Sequence, residues 1–91
     1  MALIERDDII SRLEGMEGWE LRDESLEKTF TFDGYLAGIE FVNRLAAAAE
    51  EQAHHPDLEV GYGRVVVRVS THSEGGITER DFRLAAAADA V

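Results

Sequence analysis

The chain holds three histidines, and they fall in one ordered pattern: Glu50-x3-His54-His55-Pro56-x5-Tyr62-x9-His72-x8-Asp81. Imidazole, with an unperturbed pKa of about 6.5, both donates and accepts protons near neutral pH. Three such rings brought to one place would make a site for general acid–base chemistry. Whether they meet depends on the elements that carry them.

The hydrophobic pattern runs the longest helix from Gly34 to about His54, with Asp33 as a plausible N-cap. Glu50 and Glu51 then stand in its last turns, where the helix dipole disfavours carboxylates. Glu50 precedes His54 by four residues, so the two share a helical face, and both the pair and the helix terminus favour a charged His54. Pro56 disfavours helical geometry at His55, which therefore leaves the helix and aims its ring differently. A His-His-Pro helix end also reads as a plain polar cap.

Arg64 to His72 alternates as a strand, with Val65, Val67, Val69 and Thr71 on the core face. His72 ends that strand on the opposite parity, with Arg68 and Ser70. Ser73-Glu74-Gly75-Gly76 reads as a flexible loop whose glycines permit positive φ. Thr78 and Asp81 form a capping box at the start of the last helix, with Ile77 and Phe82 as a staple. The cap accounts for Asp81 in full, although a carboxylate there can also orient a nearby histidine.

The remaining segments supply the frame. Asp7 to Met16 is helical, Trp19 to Arg22 and Ser25 to Phe32 are strands about an Asp23-Glu24 turn, and Leu58 to Tyr62 is the strand before Gly63. Trp19 reads as a core or rim aromatic and Tyr62 as a core residue. The order α-β-β-α-β-β-α makes an α+β fold, a single domain over residues 1–91, with a four-stranded antiparallel sheet and helices packed on one face. His54-His55 precede the second hairpin and His72 ends it, so closing the hairpin lets all three rings approach one another.

Composition narrows the function classes. A chain of 91 residues, 45% hydrophobic, suffices for one small domain, and the absence of cysteine excludes disulfides and thiolate metal sites. A net charge of −10 disfavours nucleic acid and anionic lipid as partners. No apolar run has the length of a signal core or a membrane span, so a cytoplasmic, non-membrane protein is expected. The long helix is broadly apolar and ends in Ala46 to Ala49. One face covers the sheet; the other is open to a partner subunit, as in a homodimer or homotetramer, or else its exposed alanines reflect helix propensity alone and carry no information.

The pattern as a whole, with Thr71-His72 followed by Gly75-Gly76-Ile77-Thr78, Asp81 and Leu84-Ala85, resembles the pterin-4a-carbinolamine dehydratase family over about Gly18 to Ala85. The resemblance implies dehydration of 4a-hydroxytetrahydropterin to quinonoid dihydropterin with no metal and no organic cofactor. It implies proton transfer by His54 and His72, binding and positioning by His55, and tuning of His54 by Glu50. It places the pterin against His54-His55 and Ser70-Thr71-His72-Ser73, with Asp81 in support. It also implies a functional pairing with phenylalanine hydroxylase. The alternative from the same family is a non-catalytic module, like its RuBisCO assembly factors or the dimerisation cofactors of a homeodomain activator. Zinc held by three histidines and a carboxylate is a weaker reading of the same residues. Ala53 departs from the family, where many members carry a polar residue.

Overall fold

Alternating branched and aromatic residues build the sheet of the computed structural model, which describes residues 2–91. Its strands are β1 (Glu20–Arg22), β2 (Ser25–Thr31), β3 (Asp57–Val60) and β4 (Arg64–Val69), in the spatial order β1-β2-β4-β3 with every pair antiparallel. Successive strand residues face opposite sides, so Leu26, Val65, Val67 and Val69 fall on one face, and all four are buried. The register places Leu26 opposite Val69 and Phe30 opposite Val65. The helices α1 (Arg6–Leu13), α2 (Tyr35–Gln52) and α3 (Glu79–Ala90) cover that face with Ile9, Phe41, Leu45, Ala49, Phe82, Leu84, Ala85 and Ala88. Among the described residues no helix is long and apolar enough to cross a membrane.

The other face of the sheet is charged and internally matched. Arg68 donates to Glu27 at 2.8 Å and to Glu59 at 3.2 Å, and these carboxylates, Glu27 foremost, raise its pKa further above the usual guanidinium value. Arg64 lies 3.6 Å from Glu59. The basic pair of β4 is therefore neutralised by its own neighbours.

Several boundaries differ from the sequence expectation. α1 closes at Leu13, short of Met16. Asp33 does not cap α2: the N-cap is Gly34, without a side-chain bond. Tyr62 is not a core residue but 75% exposed. Gly61 N–H bonds to Arg64 O at 2.8 Å and closes the hairpin there, which leaves Tyr62 in the turn. The Ser73–Gly76 loop is built rather than loose. A one-turn 3₁₀ helix spans His72–Glu74, Gly75 follows at φ 76°, and Thr71 N–H bonds to Gly76 O at 2.9 Å.

Trp19 is buried, and its indole Nε1–H donates to Asp89 Oδ2 at 2.9 Å while Lys28 holds Oδ1 at 2.8 Å. Asp89→Ala leaves that indole N–H without its acceptor and is expected to lower unfolding free energy by about 1–3 kcal/mol in urea titrations. At the other end of α3, Arg12 donates two hydrogen bonds to Glu79, at 2.7 and 2.8 Å, and holds its carboxyl below the usual value. A carboxyl depressed on folding stabilises the protein above its unfolded pKa, and that contribution is lost as pH falls through the folded value. Thermal melts of Glu79→Gln should therefore fall below wild type at neutral pH and converge with it in acid.

Candidate active site

The site begins with how α2 stops. Ala53 adopts the left-handed region at φ 52°, ψ 38°. Its N–H bonds to Glu50 O at 3.1 Å, and the N–H of His54 bonds to Ala49 O, also at 3.1 Å. This pair of backward bonds is a Schellman closure, which satisfies terminal carbonyls and turns the chain sharply away from the helix axis. Arg80 Nη2 donates to Ala53 O at 2.6 Å and fastens the turn to α3.

Because the chain turns at Ala53, His54 lies outside the helix, and the i,i+4 geometry that would pair it with Glu50 does not arise. His54 is only 7% exposed, and its Nε2 lies 2.6 Å from Asp81 Oδ1. His55 is exposed instead, and its Nε2 pairs with Glu50 Oε2. The expected Glu50–His54 contact is thus corrected: the carboxylate faces the second histidine of the pair.

Asp81 serves both roles that its position allows. As the third residue of α3, its Oδ2 accepts from Thr78 N–H at 2.9 Å and completes the capping box. The same oxygen accepts from Thr71 Oγ1 at 2.7 Å, while Oδ1 faces His54. Thr71, Thr78 and Asp81 are all buried, and among the described residues no buried side-chain polar atom lacks a partner.

His72 follows Thr71 directly and opens the 3₁₀ turn, exposed together with Ser73. With Ser70 it lines a concavity of about 320 Å³ whose other walls are the Asp23–Glu24 turn and Gly75–Gly76. The register explains this neighbourhood. Asp57 pairs with Arg68, so the chain entering β3 after His54-His55-Pro56 lies beside the chain leaving β4 toward His72. His54 is joined to Thr71 through Asp81, and among the described residues no hydrogen bond joins His72 to either of the other histidines.

A larger concavity, about 810 Å³, lies between α1, β2 and α3, lined by Arg12, Lys28, Phe30 and Phe82. Its two cations are already paired with Glu79 and Asp89, and it contains none of the histidines. Among the described residues no group of three or more His, Asp or Glu side chains is arranged to hold a metal ion. The sequence reading missed the grip of Arg80 on Ala53 and the hydroxyl link from Thr78 to Thr71. For Thr71 a signal existed in its inward strand parity, and for Arg80 there was none.

A family model described as Pterin 4 alpha carbinolamine dehydratase matches residues 2–91. The chain is 48% identical over 82 residues to a candidate pterin-4-alpha-carbinolamine dehydratase of Sulfolobus acidocaldarius, covering 90% of each chain. It is 45% identical over 89 residues to one of Mycobacteroides abscessus, covering 98% of this chain and 95% of that one. Among solved structures, a transcriptional coactivator/pterin dehydratase from Brucella melitensis matches with a TM-score of 0.92 at 31% identity, covering 98% of this chain and 97% of that one. A pterin dehydratase-like protein identified as a RuBisCO assembly factor of the alpha-carboxysome matches with a TM-score of 0.64 at 29% identity, over 79% of this chain and 83% of that one.

The geometry separates structural from exposed members of the site. Asp81→Ala removes the partner of three buried groups and is expected to cost about 3–5 kcal/mol, whereas Glu50→Ala, at the exposed pair, should change stability by less than about 0.5 kcal/mol. Ala53→Gly relieves the left-handed alanine and should add about 0.5–1 kcal/mol. Denaturant unfolding of the three variants checks this order.

Proposed function

The chain belongs to the pterin-4-alpha-carbinolamine dehydratase family, and on that premise we propose that it converts a 4a-hydroxytetrahydropterin to quinonoid dihydropterin and water. The observation that carries this proposal is the buried Asp81 holding His54 beside the turn that presents His72. In the elimination a base removes the proton on N5, the C4a–O bond breaks as C4a=N5 forms, and an acid protonates the departing hydroxyl. One proton is taken up and one is given, so the site returns to its starting state after a compensating transfer. His54 and His72 fill the acid and base roles. His55, exposed and paired with Glu50, binds the hydroxylated ring, so Glu50 acts through His55. Ser70, His72 and Ser73 provide the polar wall on the strand side.

The product would return to an aromatic amino acid hydroxylase such as phenylalanine hydroxylase. A homodimer or homotetramer is supported by α2, which leaves Tyr35 and Leu36 at 49% and 73% exposure on the monomer. The same exposed residues, with the likeness to the RuBisCO assembly factor, favour a second reading as an assembly or dimerisation module.

The deciding experiment follows dehydration of enzymatically generated 4a-hydroxytetrahydropterin by ultraviolet absorbance. Wild type should exceed the spontaneous rate, and His72→Ala, at an exposed position, should remain folded and lose about 10²–10⁴-fold in kcat. No acceleration by folded wild type would contradict the enzyme reading and favour the assembly one.

A further inference from the structure

Thr71 touches both halves of the site, and its side chain is buried. Its oxygen lies 2.7 Å from Asp81 Oδ2 and 2.8 Å from Thr78 Oγ1, and Thr78 Oγ1 in turn accepts from Arg80 N–H at 3.2 Å. A hydroxyl has one proton, and a carboxylate has only acceptor oxygens. Thr71 therefore gives its proton to Asp81 and accepts from Thr78. The chain of donors runs one way, from Arg80 N–H through both hydroxyls to Asp81.

Thr78 N–H adds a second donor to Oδ2, at 2.9 Å, which leaves Oδ1 facing His54 Nε2 at 2.6 Å. That contact requires the proton on Nε2, so the neutral ring keeps its lone pair on Nδ1. His54 is buried, yet among the described residues no buried side-chain polar atom is without a partner, and among those same residues Nδ1 has no hydrogen-bond partner. Nδ1 therefore lies on the edge of the ring that reaches the surface.

The backbone of Thr71 fixes the other half. Its N–H donates to Gly76 O at 2.9 Å, and its carbonyl accepts from Glu74 and Gly75, both at 3.0 Å, which closes the turn that begins at His72. We propose that Thr71 is a positioning residue that holds His54 as its Nε2-protonated tautomer through Asp81, making Nδ1 the nitrogen that exchanges a proton with substrate. The catalytic consequence rests on the dehydratase reading, while the tautomer does not.

The test uses the full chain with ¹⁵N-labelled histidine, long-range ¹H–¹⁵N correlation spectra and the dehydration assay. Neutral His54 in wild type should show the Nε2–H pattern. Thr71→Val, which keeps the shape and removes the hydroxyl, should raise the Nδ1–H population and lower kcat about 10- to 100-fold with little change in KM. Thr71→Ser should restore the wild-type spectrum and most of kcat. An Nδ1–H pattern on wild-type His54 overturns the proposal whether or not the valine variant folds. A folded valine variant with unchanged tautomer and kcat overturns it too. The expected spectra without any wild-type acceleration would uphold the tautomer and defeat the dehydratase reading alone.

Discussion

A fully buried carboxylate has to be met by donors, because moving an unpaired charge out of water costs several kcal/mol. Asp81 is such a group, and the placement of three elements follows from satisfying it. Its donors come from the end of β4 through Thr71, from the first turn of α3 through Thr78 N–H, and from the turn after α2 through His54. Shifting any one of these segments would leave a charge or a hydroxyl without its partner inside the core. The same bonds that join sheet to helices therefore also set the orientation of the histidine ring, and fold and site share one constraint.

Much of this was legible before the structure. Strand parity placed Val65, Val67, Val69 and Thr71 inward, and the Thr78–Asp81 spacing identified the capping box, because both signals are local. The end of α2 was not legible. Left-handed closures are usually marked by glycine, and here an alanine takes that conformation, so the periodic pattern ran on through His54. That two-residue overrun exchanged the partners of the two adjacent histidines. Tyr62 misled for a related reason: alternation continued past Val60 in the sequence although the hairpin had already closed at Gly61. The strand order, with β4 between β2 and β3, depends on pairing between distant segments and left no local mark.

The division of the surface bears on how one family fold serves different ends. The histidine side is polar and built on the C-terminal turn of α2, the end of β4 and the start of α3. The N-terminal end of α2 is apolar and open at Tyr35 and Leu36. Contacts made by that exposed helix would leave the Asp81 network untouched, so association and proton transfer need not compete for the same residues. The second solved relative, a RuBisCO assembly factor, matches over less of the chain than the coactivator/dehydratase does.

The central claim, that the Asp81-supported histidine end is where a pterin is handled, is most directly tested by titrating the ¹⁵N-labelled full chain with 7,8-dihydrobiopterin as a stable planar pterin and following amide shifts. The account predicts saturable changes gathered at His54, His55 and Ser70 to Ser73. Shifts confined to the groove of Arg12, Lys28 and Phe30, or none at millimolar ligand, would contradict it.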